Sequence, residues 1–264
     1  MDYAIIGGTG VYTPLLFERE EEQLVKTPYG NVICKTGSYQ KRDIVFIARH
    51  NSEHKIPPHK INYAANIWAL KHLGVKCIIA TNAVGSANRE IGVGDFVIID
   101  QFLDFTKSRR CTFFNGENTP VVHVDVTDPY CSTLRKLLID VGGDLGLKIH
   151  ERGCYACFEG PRYETAAEIK MVGMLGGDVV GMTNVPEVVL AREAGICYAA
   201  VCVVTNMGAG ISEGILKHKE VSELMAKNID KVRLLALETL TAVPDDICCS
   251  CKQSGFSLPG MEES

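Results

Sequence analysis

Short apolar runs, about four to eight residues long, alternate along the chain with longer stretches whose apolar positions recur at helical spacing. The runs predict strands over residues 3–6, 31–35, 44–48, 77–81, 96–100, 153–159, 178–182 and 196–204. Several are continuously apolar, as strands covered on both faces are. The longer patterns predict helices over 60–73, 129–147, 165–175, 186–194 and 218–240. In the last of these, Val221, Leu224, Met225, Ile229, Val232 and Leu235 form one buried stripe. Asp128 before Pro129, and Asn184 ahead of Pro186, are helix-start signals. Strands alternating with helices indicate an α/β fold, a single domain over residues 1–243 with a central mixed, largely parallel sheet flanked by helices. Ligands of such sheets bind at the carboxyl ends of the strands. Residues 244–264 read as a loosely ordered, cysteine-containing tail.

Composition narrows the class. With 264 residues, 46% hydrophobic and 22% charged, the chain can bury a full core without disulfides or metals. The net charge of -5 gives no global basic field, so neither nucleic acid nor an anionic membrane is an expected partner. No apolar run reaches the roughly 18–20 residues of a membrane-spanning helix. The N-terminus enters a strand without the zones of a signal peptide, and a cytoplasmic protein is expected. Most of the eleven cysteines lie in apolar runs and read as small core residues. Cys154 and Cys157 have CxxC spacing but fall in a predicted strand, where positions three apart face opposite ways and share no site. Cys248, Cys249 and Cys251 read as reduced thiols of a flexible tail, with a disulfide or an adventitious metal site as the alternatives.

Chemistry concentrates in loops after strands. Gly7-Gly8-Thr9-Gly10 offers backbone N–H groups and a hydroxyl to an anion, with a tight packing turn as the alternative reading. Arg49 and His50 end an apolar strand, and the Arg fork suits phosphate. His54, His59 and Lys60 follow, the last two reading as a solvated loop. Asn82-Ala83-Val84-Gly85-Ser86 lets a ligand approach the backbone. Thr183 lies between strand and helix, where helix N–H groups favour an anion, beside Met182, whose thioether suits a sugar face or simply the core. Glu164, acceptor-only when ionised, and Asn206, both donor and acceptor, could read a heteroaromatic edge with an N–H beside a carbonyl, as a 6-oxopurine has. No Walker loop, HExxH, paired Cys/His framework or GxSxG elbow is present.

These loops, with Asn62-Tyr63-Ala64-Ala65-Asn66, Gly94-Asp95-Phe96-Val97-Ile98, Glu159-Gly160-Pro161-Arg162 and Val185-Pro186-Glu187-Val188, resemble the purine nucleoside phosphorylase superfamily, in its methylthioadenosine phosphorylase branch, over about residues 3–240. The resemblance implies the nucleoside phosphorylase fold, a distorted mixed sheet, assembled as a homotrimer or a dimer of trimers. It implies phosphorolysis without a cofactor or metal, inorganic phosphate being a co-substrate. It assigns Thr9, Arg49, His50, Asn82, Ala83 and Thr183 to phosphate, with His50 and Asn206 as catalytic residues. Met182 falls under the ribose, and His123 at a neighbouring subunit's sugar pocket. Glu164, Asn206 and Gly208 fall at the base, and His218 near the 5′ group. Members acting on 6-aminopurines carry Asp at the positions of Asn206 and Gly208 and a small hydroxyl residue at that of Glu164. This chain instead resembles the 6-oxopurine enzymes. Inosine and guanosine are the expected substrates. S-methyl-5′-thioinosine or methylthioadenosine is the alternative, and a nucleoside hydrolase or nucleoside-binding protein the remote one.

Overall fold

The computed structural model describes all residues except 13–15, 52–54, 117–118, 213–217, 248 and 262–264, and describes no side chains for 218–220. The first strand, β1 (Tyr3–Gly7), is buried along its whole length and runs parallel to both its neighbours, β4 (Arg42–Ala48) and β5 (Cys77–Ser86). Beyond β4 lie β3 (Gly30–Tyr39) and the edge strand β2 (Glu18–Thr27), each antiparallel to the strand before it. One edge of β5 pairs in parallel with β11 (Cys197–Met207) along its full length. Its other edge meets β1 at residues 77–80 and β10 (Val179–Gly181), antiparallel, at Gly85 and Ser86. β10 continues through β9 (Cys154–Phe158) to β7 (Gln101–Phe105), while β6 (Phe96–Ile98) and β8 (Ile149–His150) extend the sheet from β11. The result is one mixed, branched sheet of 11 strands.

That branching matters for function. Among the described residues, 81–84 of β5 have no strand on the edge where β1 ends and β10 has yet to begin. The largest concentration of candidate residues borders this split.

Helices α1 (Tyr63–His72) and α4 (Asn184–Glu193) bury one apolar layer against the sheet, and α2 (Ser132–Asp144) and α5 (His218–Thr241) bury another. α3 (Ala166–Met174) packs Ile169 and Val172 on Ala156, Phe158 and Val180. Its start is fixed by a capping box between Thr165 and Glu168. Among the described residues no helix is long and apolar enough to cross a membrane.

Several expectations need correction. The helix expected from residue 60 begins at Tyr63, capped by the Asn62 side chain, after a separate 3-10 turn over Pro58–Lys60. Asp128 caps nothing, because α2 starts later, with Cys131 at its N-cap. α4 does begin at Asn184, but this side chain is no cap: it is buried and bonded to the hydroxyls of Tyr130 and Tyr198. The strand expected at 96–100 is β6, which ends at Ile98, and β7, which joins a different part of the sheet, was not expected. β2 was not expected at all: as an exposed edge strand rich in Glu it has almost no apolar face to signal it.

The tail is also ordered where it is described. Leu258 is buried, Trp68 donates its indole N–H to the Pro259 carbonyl, and Phe256 donates its backbone N–H to the Glu193 carbonyl. Arg192 binds the Ser254 hydroxyl at 2.9 Å. Residues 249–261 form a strap across the ends of α4 and β11, not a loose tail.

Candidate active site

A cavity of about 530 Å³ opens at the split in the sheet. The carboxyl ends of four mutually parallel strands reach it: Gly8 and Thr9 follow β1, Arg49 and His50 follow β4, Asn82 to Gly85 lie on β5, and Thr205 and Asn206 lie on β11. The β10–α4 connection adds Met182 and Thr183, the β9–α3 loop adds Tyr163 and Glu164, and α5 adds Val221.

At one end the polar groups are already bound to each other. Gly8 donates its N–H to the Thr81 hydroxyl at 2.9 Å. A side chain at Gly8 would strike the Thr81 carbonyl and the Arg49 guanidinium, so only glycine brings this turn so close. Asn82 donates from Nδ2 to the Thr183 hydroxyl at 2.9 Å, and Tyr155 accepts the Thr183 N–H at 3.2 Å. The Asn82 Oδ1 is buried with no partner. His50 donates from Nδ1 to the Ile56 carbonyl at 2.8 Å, since a carbonyl can only accept.

Arg49 departs from its expected pose. Its fork is spent on Glu187, with Nε and Nη2 each 2.7 Å from a carboxylate oxygen, and Nη1 donates to the Thr81 carbonyl at 2.9 Å. Both side chains are fully buried. Burial alone would lower the guanidinium pKa, but the Glu187 charge outweighs it and holds the pKa above its ordinary value. Tyr198 donates to the same carboxylate at 2.8 Å. Arg49 therefore reaches the cavity through what remains of Nη1 and Nη2, as a fixed positive wall rather than an open fork.

The other end is different. Glu164 is only 8% exposed, and its Oε1 has no hydrogen-bond partner. Burial pushes its carboxyl pKa above the usual value, more than Arg162 lowers it. Asn206 sits just past a bulge in β11, where the register shifts around Thr205. Its Oδ1 accepts from the Thr205 hydroxyl at 3.0 Å, and one Nδ2 hydrogen goes to the Met207 carbonyl at 3.0 Å. This leaves the second Nδ2 hydrogen as a donor at the cavity wall.

Residues 2–241 match the family model described as the Phosphorylase superfamily. The chain belongs to that superfamily. It is 54% identical over 254 residues to the probable 6-oxopurine nucleoside phosphorylase of Dictyoglomus turgidum, covering 96% of each chain. It is 53% identical to the 6-oxopurine nucleoside phosphorylase of Pyrococcus furiosus, over 95% of this chain and 96% of that one. Among solved structures, methylthioadenosine phosphorylase from Schistosoma mansoni in complex with adenine superposes with a TM-score of 0.88 at 34% identity, over 91% of each chain. The resemblance in sequence and the expected fold are thus both established for this phosphorylase.

The phosphorylase gathers Thr9, Arg49, His50, Asn82, Ala83, Met182, Thr183, Glu164 and Asn206 around one cavity. It does not bring Gly208 there. A Cβ at Gly208 would lie 2.9 Å from Ile169 and 3.0 Å from the Ser86 carbonyl, so this glycine serves packing. His123 is exposed and lies off its own chain's cavity. The side chain of His218, and all of His54 and Cys248, lie outside the described residues. Two residues that position the site were not expected. Glu187 holds Arg49, and its only signal was its place in a quoted motif. Arg109 donates to the carbonyls of Val185 and Glu159, both at 2.7 Å, and so ties the loop bearing Glu164 to the start of α4. Nothing in its local sequence marked it.

Proposed function

We propose that this phosphorylase cleaves 6-oxopurine nucleosides, with inosine and guanosine as substrates, to the free base and ribose 1-phosphate. A phosphate oxygen would attack C1′ while the C1′–N9 bond breaks and its electron pair passes into the purine. On this reading Thr9, His50, Asn82, Ala83 and Thr183 bind the phosphate against the fixed charge of Arg49, and Met182 lies under the ribose. Catalysis then rests on positioning and on stabilising charge that accumulates on the base, without a cofactor. Asn206 would donate its remaining amide hydrogen to that base.

The observation that carries the reading is the unpartnered Oε1 of Glu164. An ionised carboxylate in this position needs a donor. The N1–H of a 6-oxopurine supplies one, whereas N1 of a 6-aminopurine presents a lone pair. A buried mismatch of that kind discriminates strongly. The similarity to the 6-oxopurine nucleoside phosphorylases of Dictyoglomus turgidum and Pyrococcus furiosus supports the same reading.

Val221 supports a second substrate reading. It is apolar, only 8% exposed, and gives α5 an oily contact with the cavity. Such a wall suits a 5′-methylthio group, which would make S-methyl-5′-thioinosine the preferred nucleoside. The exposed position of His123 fits a role in completing a neighbouring copy's site, in a homotrimer or a dimer of trimers. A cytoplasmic setting goes with this reading.

The test is base release from inosine, guanosine, S-methyl-5′-thioinosine and adenosine, each with and without phosphate. Phosphate-dependent release from the 6-oxopurine nucleosides is expected. Release that ignores phosphate would indicate a hydrolase and overturn the proposal.

A further inference from the structure

At the end of β11 opposite the cavity, four cysteines from three separate stretches of chain meet. Cys131 is the N-cap of α2, Cys197 begins β11, and Cys249 and Cys251 belong to the C-terminal strap. Their sulfur atoms all lie within 4.8 Å of one another. Cys197 and Cys249 are 3.2 Å apart, sulfur to sulfur. Three of the four are buried, each at most 2% exposed, and Cys249 is half-buried.

Four mutually adjacent thiols in a core are more than packing requires. Zinc bound by four thiolates at about 2.3 Å places its sulfur atoms about 3.8 Å apart in a tetrahedron. The tetrad is already close to that size. The 3.2 Å between the Cys197 and Cys249 sulfurs is well beyond the roughly 2.05 Å of a disulfide. An all-sulfur donor set selects soft or borderline cations over calcium or magnesium.

Cys131 stands at the N-cap of α2, where a helix N-terminus presents its unpaired N–H groups.

We propose that Cys131, Cys197, Cys249 and Cys251 form a structural site for one divalent thiophilic cation, zinc by preference, that fastens the C-terminal strap to α2 and β11. Binding displaces four thiol protons to solvent and leaves a tetrathiolate complex with no open position for a substrate. The site is distinct from the cavity, since Cys197 and Asn206 stand at opposite ends of β11, about 30 Å apart at about 3.3 Å per residue.

The test uses the full chain, reduced and stripped with chelator, then titrated with cobalt(II). The expected result is saturation at one cobalt per chain with the intense visible bands of tetrahedral thiolate ligation, reversed by added zinc. In the same wild-type protein, zinc should protect Cys131, Cys197, Cys249 and Cys251 from alkylation and leave the exposed Cys111 reactive. Cys249→Ser with Cys251→Ser should abolish the cobalt spectrum, and Cys111→Ser should not. Zinc should raise Tm and leave kcat/KM unchanged. The proposal is overturned if the reduced chain takes up no cobalt, if the double variant binds it undiminished, or if zinc protects none of the four. It is also overturned if the protein as isolated is four hydrogens light, carries two disulfides within the tetrad, and takes up no metal after reduction.

Discussion

The two ends of the cavity are built on opposite principles. At the end proposed for phosphate most polar groups have a protein partner, Arg49 with Glu187 and Thr81, Asn82 Nδ2 with Thr183 and His50 with Ile56, the buried Asn82 Oδ1 being an exception. At the base end Glu164 keeps a buried carboxylate oxygen with none. The difference is physical economy. A phosphate end serves every substrate of the family, so it can be fixed in advance and cost no reorganisation during reaction. A base end must reject close analogues, and an unmet acceptor does this well, because the wrong base leaves it unmet.

The largest expected effect comes from breaking the closed end. Glu187→Ala strands a fully buried guanidinium and should cost about 3–5 kcal/mol of stability, read as a fall in denaturant midpoint. A small loss there would mean that the Arg49–Glu187 pair does not hold the site together.

The base end is bounded by packing as well as chemistry. Gly208→Asp would press on Ile169 and the Ser86 carbonyl, and should cost about 1–3 kcal/mol in thermal or chemical unfolding. Asn206→Asp alone has room and should raise activity on adenosine relative to inosine. If Gly208→Asp is instead neutral, the glycine belongs to substrate binding after all.

At the phosphate end, Thr183→Ala removes one neutral hydrogen bond, worth about 0.5–1.5 kcal/mol. It should raise the KM for phosphate by roughly 2–10-fold and leave discrimination between bases unchanged. A change in base preference would dissolve the distinction between the two ends.

The smallest effect is on stability, and its sign is informative. Burial raises the pKa of Glu164 in the folded chain, so its charged form is disfavoured there. Below the unfolded carboxylate pKa both states are protonated and nothing is lost. As pH rises through the folded pKa the wild type loses stability relative to Glu164→Gln. The variant should therefore match or slightly exceed the wild-type Tm at pH 7, with no advantage near pH 3. A variant clearly less stable at pH 7 would show that Glu164 has a partner in the unliganded protein.

Much of this was legible beforehand because continuous apolar runs report buried strands well. β1, β4, β5, β9 and β11 all lie where such runs stand. Signals failed where burial was one-sided or absent, as at the Glu-rich β2 and at β7, none of whose residues is fully buried. Loops after strands marked the cavity's lining, because small and donor-rich residues are rare inside such runs. Glu187 and Arg109 were harder to find. Their work is to hold other residues, through contacts 138 positions away in the chain for Arg49 and 76 for the Val185 carbonyl, which no local pattern records. The cysteine tetrad was hidden for the same reason, being assembled from Cys131, Cys197 and the strap.

The central claim is that an unmet acceptor at Glu164 selects the 6-oxopurine. It is tested most directly by the ratio of kcat/KM for inosine to that for adenosine, at saturating phosphate, in the wild type and in Glu164→Gln. The account predicts a strong wild-type preference for inosine that falls about 10–100-fold in the variant, the worth of a hydrogen bond to a charged group. An unchanged ratio, or a wild type that prefers adenosine, would contradict it.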